Sequence, residues 1–202
     1  DMTPQPVDPY GIAKVAVEQT LKVLAQTHGM EYVIAVPHNI YGPRQRYTDP
    51  FRNVASIMIN LMKQGRQPTV YGDGNQVRCF SYIDDVVEPL VKMGLQPGLS
   101  GEIINIGPDT GEVTINELVQ IIRDELDFPG QTTHLPDRPK EVKHAVCSSD
   151  KARRLLDYKT AVELREGIKR LAKSIKPKPF EYHLQPEIDS PLMPKTWSQK
   201  LF

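Results

Sequence analysis

No excess of either charge marks this 202-residue chain, in which 25 basic residues stand against 25 acidic ones. A protein that grips nucleic acid or an anionic membrane carries a basic footprint, so neither partner is expected. Long apolar runs are missing as well. None approaches the ~18–20 residues of a membrane span, and no signal-peptide pattern is visible in these residues. Only two cysteines occur, Cys79 and Cys147, in unrelated segments. They suit reduced thiols of a cytoplasmic protein rather than a disulfide scaffold. The five histidines are scattered and neither cysteine has metal-ligand spacing, so no metal site is expected. Asp73 and Asp84-Asp85 read as loop and helix-cap acids. Hydrophobic residues make up 39% of the chain, an ordinary share for a globular core. There is no internal repeat.

The pattern that is present alternates strands and helices, which implies an α/β fold with a doubly wound parallel sheet. Residues 9–28 read as a helix, with Pro9 in its first turn, Val17, Leu21 and Leu24 on one stripe, and Gly29 as the stop. Residues 31–37 form a continuously apolar strand of the kind buried on both faces. A helix follows over about 51–64 and ends at Gly65. Short strands are expected at 69–71 and 77–83, around the turn-rich Gly72-Asp-Gly-Asn75. The next helix carries Val86, Val87, Leu90 and Val91, and Pro89 should shorten or bend it. Residues 102–106 return to a buried strand. Thr114-Ile-Asn-Glu117 and Thr160-Ala-Val-Glu163 read as capping boxes opening two further helices, with a short helix at 149–156 between them. Beyond Lys176 the period is lost, and five of the 18 prolines fall in the last 26 residues. That tail is either a surface strap or a partner contact.

Chemistry first shows in Asp8-Pro-Tyr-Gly-Ile-Ala-Lys14. A four-residue step on a helix stacks Tyr10 and Lys14 on one face. A free phenol has a pKa near ~10, and bringing one to about 7 needs ~4 kcal/mol. An ammonium ~4 Å away at an effective dielectric of ~20 supplies about that much, so the pair can act as a general acid/base. A solvated helical pair is the alternative reading of the same spacing.

Further motifs follow in order: a strand ending in Pro37-His38-Asn39, the loop Tyr41-Gly42-Pro43-Arg44-Gln45, the run from Val70 through Arg78-Cys79-Phe80 to Asp85, then Ile104-Asn-Ile-Gly107 and Arg138-Pro139. In this order and spacing the chain resembles the extended short-chain dehydrogenase/reductases acting on nucleotide sugars, the NAD-dependent epimerase/dehydratase family, over roughly residues 1–172. The resemblance implies that NAD is the cofactor and that Tyr10 exchanges a proton with a sugar hydroxyl. Lys14 would also bond the nicotinamide ribose. It sets Pro37 and His38 against the nicotinamide, His38 through its backbone. It gives Asn39, Thr69, Tyr71, Arg78, Arg138, Glu141 and Ala145 to the substrate. Arg78 and Arg138 would clamp the diphosphate, for which a planar guanidinium fork is suited. Glu141 would bind ribose hydroxyls, and Thr69 and Tyr71 would pack on the base. Strand-end capping for Asn39, surface charge for the two arginines, pairing of Arg78 with Asp84 or Asp85, and a plain short strand at 69–71 are the competing structural readings.

Members of that family open with a Gly-x-x-Gly-x-x-Gly turn that holds the dinucleotide phosphates, and no such cluster occurs here. The chain is therefore expected to be the C-terminal portion of an enzyme, its dinucleotide-binding half absent. Residues 1–46 and 78–111 would complete the NAD-binding Rossmann-type domain. Residues 47–77 and 112–176 would build a smaller nucleotide-sugar lobe, followed by the proline-rich tail 177–202. Many relatives have Arg-Asp-Phe where this chain has Arg78-Cys79-Phe80. Ala145 falls where the family borders the sugar's C2 side, and its small methyl leaves room for a 2-acetamido group. The implied activity is transient oxidation at sugar C4, with 4-epimerisation of a UDP-sugar as the simplest net reaction. A 4,6-dehydratase, a decarboxylase, or a non-catalytic fragment or binding subunit are the alternatives. Relatives pair through the helix bearing the tyrosine, which implies a homodimer.

Overall fold

The Asp8 carboxylate starts the first helix, α1 (Pro9–His28), by accepting from the Gly11 N–H at 2.7 Å. Gly29 ends it in the left-handed conformation, φ 67°, with its N–H bonded to the Ala25 carbonyl. Both ends agree with the sequence reading, but no residue of α1 is buried, and Val17, Val23 and Leu24 are exposed. The structure, a computed structural model, describes residues 3–138, 141–182 and 193–202.

Parallel pairing dominates. β1 (Ile34–Pro37) lies beside β6 (Ile103–Ile106) with Ile34 opposite Ile103. β2 (Ile40–Tyr41) lies beside β5 (Ser81–Tyr82), and β3 (Thr69–Tyr71) beside β8 (Thr133–Leu135). β4 (Val77–Arg78) is the centre of a three-stranded sheet, antiparallel to β7 (Val113–Thr114) and parallel to β9 (His144–Ala145). The single strand expected at 77–83 is thus two. At Cys79-Phe80 the chain leaves one sheet and joins another, and the buried Cys79 thiol reaches the Thr110 carbonyl at 3.9 Å.

Helices α2 (Val54–Lys63), α4 (Ile115–Glu125) and α6 (Leu164–Ser174) enclose one apolar cluster, with Met58, Ile59, Leu118, Ile122, Ile168 and Leu171 at its centre. A second cluster joins α3 (Ile83–Leu95) and α5 (Asp150–Leu156) to β1 and β6 through Val86, Met93, Ile104, Ile106, Ala152 and Leu156. Val33 and Ala35 pack on that second cluster. Successive strand side chains face opposite ways, so Val36 is turned away and stays 37% exposed. The apolar run at 31–37 is therefore covered on one face only, contrary to the expectation of a fully buried strand.

Two helix readings change. The Thr114–Glu117 capping box forms, with Glu117 N donating to Thr114 Oγ1 at 3.1 Å and Thr114 N donating to Glu117 Oε2 at 2.7 Å. The second box does not: α6 begins after Glu163, which makes no side-chain cap. The Ala161 and Val162 N–H groups donate instead to Asp85 Oδ2, at 3.2 and 3.1 Å. A carboxylate 76 residues upstream takes donors that the local Thr160 was expected to serve, and so ties the two clusters together. Pro89 lies inside α3, which continues to Leu95. In the tail, the described residues include a short helix, α7 (Lys195–Ser198), where no period was read. The part of the tail at 183–192 lies outside the described residues, as does Pro139. No helix among the described residues is long and apolar enough to cross a membrane.

Gly167 faces the Tyr41 ring so closely that a methyl would overlap its hydroxyl. Gly167→Ala is expected to cost about 1–3 kcal/mol by overpacking, read as a lower thermal midpoint. An unchanged midpoint would refute this packing.

Candidate functional site

One cavity lies between the end of β1, the start of α2, β3, β4 and the segment after β8. Asn39, Thr69, Tyr71, Arg78, Arg138 and Glu141, six of the seven residues assigned to a nucleotide-sugar substrate, line it. Phe51, Asn53, Gln76, Phe80 and Phe202 complete the wall. The register explains the gathering. β4 holds Arg78 opposite Ala145 of β9, so the chain leading into β9 carries Glu141 back alongside the guanidinium.

Arg78 Nη2 donates to Glu141 Oε1 at 2.9 Å, and Nη1 donates to the Val77 carbonyl at 2.8 Å. Both members of the ion pair are mostly shielded, with side chains 14% and 21% exposed. The partner of Arg78 is therefore Glu141, and neither Asp84 nor Asp85 competes. Arg138 lies with its guanidinium 4.1 Å from the centroid of the Tyr71 ring and 6.0 Å from that of Trp197. Its Nε is buried without a hydrogen-bond partner among the described residues. A buried donor left unpaired costs roughly 1–3 kcal/mol, and Arg138 lines the cavity with the rest of its side chain. The Asn39 amide donates to the Cys79 carbonyl at 2.8 Å from a left-handed backbone, φ 46°, as a strand-end clasp would. It lines the cavity all the same.

The catalytic and cofactor candidates sit elsewhere. Tyr10 is 73% exposed on α1. Lys14 Nζ lies over its ring at 5.3 Å from the centroid, a cation–π arrangement in place of the expected approach to the phenol oxygen. Among the described residues, no hydrogen bond joins either side chain to the cavity. Pro37 pairs with Ile106 at the end of β1. His38 follows, its backbone N–H donating to the Ile106 carbonyl at 3.3 Å. Its ring Nε2 is 3.2 Å from the Pro108 carbonyl, which assigns the proton to that nitrogen and leaves Nδ1 facing Cys147 Sγ at 3.2 Å. Gly107 is required beside it, because a side chain there would overlap the imidazole. Ala145 lines no part of the cavity. Burial lowers the His38 pKa, against a smaller raising by its backbone hydrogen bonds and Asp109. Nearby, the Arg153 guanidinium holds Asp109 at about 2 through paired hydrogen bonds of 3.0 and 2.7 Å.

Phe51, Phe80 and Phe202 were not anticipated from sequence, and neither was the set of tail residues behind them. Trp197, the only tryptophan in the chain, is edge-on to Phe51 at 5.2 Å. The aromatics Phe180, Tyr182, Trp197 and Phe202, clustered in a tail without period, were the available signal.

Comparison with known proteins gives a consistent result. The family described as the NAD dependent epimerase/dehydratase family matches residues 1–107. A protein of Methanocaldococcus jannaschii provisionally named a UDP-glucose 4-epimerase is 38% identical over 174 residues, covering 85% of this chain and 54% of its own. The UDP-glucose 4-epimerase of Mycolicibacterium smegmatis is 31% identical over 170 residues, covering 83% and 53%. The crystal structure of UDP-glucuronic acid 4-epimerase from Bacillus cereus, in complex with UDP-glucuronic acid and NAD, superposes with a TM-score of 0.80 at 29% identity, over 86% of this chain and 54% of that one. The chain spans about half the length of the curated relatives it matches.

His38 has a lowered pKa in the fold, so on acidification below its ordinary 6.5 the unfolded chain takes up a proton that the folded chain refuses. Stability is therefore fully present above that value and is lost as pH falls towards the folded pKa. Thermal midpoints between pH 7 and 5 should fall less steeply in His38→Gln, and parallel profiles would contradict this.

Proposed function

We propose that this chain, which belongs to the NAD-dependent epimerase/dehydratase family, supplies the nucleotide-sugar site and the acid/base pair of an enzyme that epimerises a UDP-sugar at C4. The observation that carries the reading is the cavity gathering Asn39, Thr69, Tyr71, Arg78, Arg138 and Glu141 from four separate stretches of chain. The two apolar clusters support a two-part division, with Ala152, Leu156 and Tyr158 packing on the Rossmann-type side and Tyr41 and Tyr82 on the side of the substrate lobe.

Each residue has a task in this proposal. Arg78, held by Glu141 and the Val77 carbonyl, meets one side of the diphosphate. Arg138, stacked on the Tyr71 ring, brings its guanidinium to the same diphosphate. Two charge-assisted contacts of this kind contribute roughly 1.5–3 kcal/mol each. Glu141 reaches the ribose hydroxyls once the ligand shares the Arg78 charge, and the Tyr71 face packs on the base with Thr69 beside it. Tyr10 Oη takes the sugar hydroxyl proton and returns it, and Lys14 keeps a positive charge close to that phenol.

The residues present fit NAD at one end only. Tyr10 and Lys14 are exposed and free to meet a nicotinamide ribose, and Pro37 and His38 stand at the carboxyl end of a parallel strand, where such ligands collect. The 202 residues contain no glycine-rich turn for its phosphates. NAD, when bound, supplies reversible oxidation at sugar C4. The exposed apolar side chains of Ile12, Val17 and Val23 on α1 support a homodimer through that helix. The free thiols of Cys79 and Cys147 support a cytoplasmic setting.

Calorimetry with UDP on the 202-residue chain tests the site. Binding is expected, weakened about 10- to 100-fold by Arg78→Ala and by Arg138→Ala, and no binding by the parent chain would end the proposal. The sugar pocket is tested in an active full-length enzyme. Ala145→Tyr should remove turnover of a UDP-2-acetamido sugar and spare the unsubstituted hexose, whereas equal loss on both would show that position 145 does not border C2.

A further inference from the structure

The end of the chain comes back to the cavity. Thr196 is fully buried, its Oγ1 2.7 Å from Tyr71 Oη and its backbone N–H donating to that same oxygen at 3.2 Å. The Leu201 carbonyl accepts from Arg66 Nη2 at 2.8 Å, and the Phe202 N–H donates to Tyr182 Oη at 3.0 Å. These bonds deliver the Phe202 ring to the cavity wall, 5.2 Å from Phe180, and place the Trp197 ring behind Phe51 and beside Arg138.

We propose that residues 193–202 complete the nucleotide site, with Phe202 as a wall against the base of a nucleoside diphosphate and Trp197 as a positioning residue for Arg138. The inference rests on the reading of the cavity as a nucleotide-sugar site.

Three features support it. The Tyr71 hydroxyl is committed to Thr196, so Tyr71 meets a ligand through its ring, over one side of which Arg138 lies. Arg138 lies 4.1 Å from the Tyr71 ring centroid and 6.0 Å from that of Trp197, which presents a fixed cation rather than a flexible surface charge. Phe202 contributes to the cavity wall from more than a hundred residues beyond Tyr71 and Arg78. An aromatic wall prefers a planar heterocycle through stacking and is indifferent to the phosphates.

The test uses the full 202-residue chain, with UDP and inorganic pyrophosphate as separate probes titrated by calorimetry. Phe202→Ala should weaken UDP about 10-fold, the scale of one lost stacking contact, and leave pyrophosphate unchanged. Trp197→Ala should weaken both, because Arg138 loses one of its rings. Removal of residues 193–202 should reproduce both losses. Circular-dichroism melts accompany each variant, and the point variants decide if the truncated chain unfolds. Unchanged UDP affinity in Phe202→Ala and Trp197→Ala would overturn the proposal and leave the cavity a nucleotide site. Tighter UDP binding after truncation would overturn it in favour of a self-occupying plug. Failure of the parent chain to bind UDP would remove the site itself, and this inference with it.

Discussion

The two residues of β4 carry the cavity. Val77 and Arg78 pair with β7 on one side and β9 on the other, and the Arg78 side chain then meets Glu141 from the chain entering β9. A guanidinium mostly out of water is expensive unless its charge is matched and its donors are used. Here a carboxylate matches the charge and the Val77 carbonyl takes a second donor. The result is a positive group fixed in place by the Glu141 carboxylate and a carbonyl of its own strand, ready to face an anion at little further cost in side-chain entropy. If β4 slipped by one residue, Arg78 would turn to the opposite face and the cavity would lose its first anchor.

Arg138 is fixed by different means. It has no carboxylate partner among the described residues, and aromatic faces hold it instead. An ion pair would neutralise the charge, while stacking leaves the in-plane N–H donors available. The two arginines therefore form an asymmetric pair, one partly neutralised and one open, joined across the cavity by chain segments from both ends of the molecule. Asp85 does comparable work between the two apolar clusters, taking the N–H groups of Ala161 and Val162 that the loop before α6 would otherwise leave bare.

Much of this was legible from local chemistry. Pro9 and Gly29 marked the bounds of α1 because such signals act within one turn, while the Asp8 cap emerged only from the structure, and the Thr114–Glu117 box forms through equally local bonds. Thr160 misled because a distant carboxylate outcompeted it, and no local rule reports a bond across 76 residues. The apolar run at 31–37 announced a strand but not that one of its faces would stay bare. The close tyrosine–lysine spacing predicted a shared face correctly, but not that the ammonium would lie over the ring.

What the residues determined by themselves was the alternation of strands and helices and the likeness to one enzyme family. Those follow from periodicity, caps and motif order, all of which act along the chain. Only the tertiary structure decided that Asn39, Thr69, Tyr71, Arg78, Arg138 and Glu141 share a cavity, that Glu141 faces Arg78, that Thr196 bonds Tyr71 and that Phe202 joins the cavity wall. Apart from the four-residue α7, the described tail is held by scattered bonds to Asn60, Gln64, Arg66 and Tyr71 rather than by a long repeating ladder, so it has little period to read. Contacts between residues more than a hundred positions apart are set by packing, and packing exists only once the chain has folded.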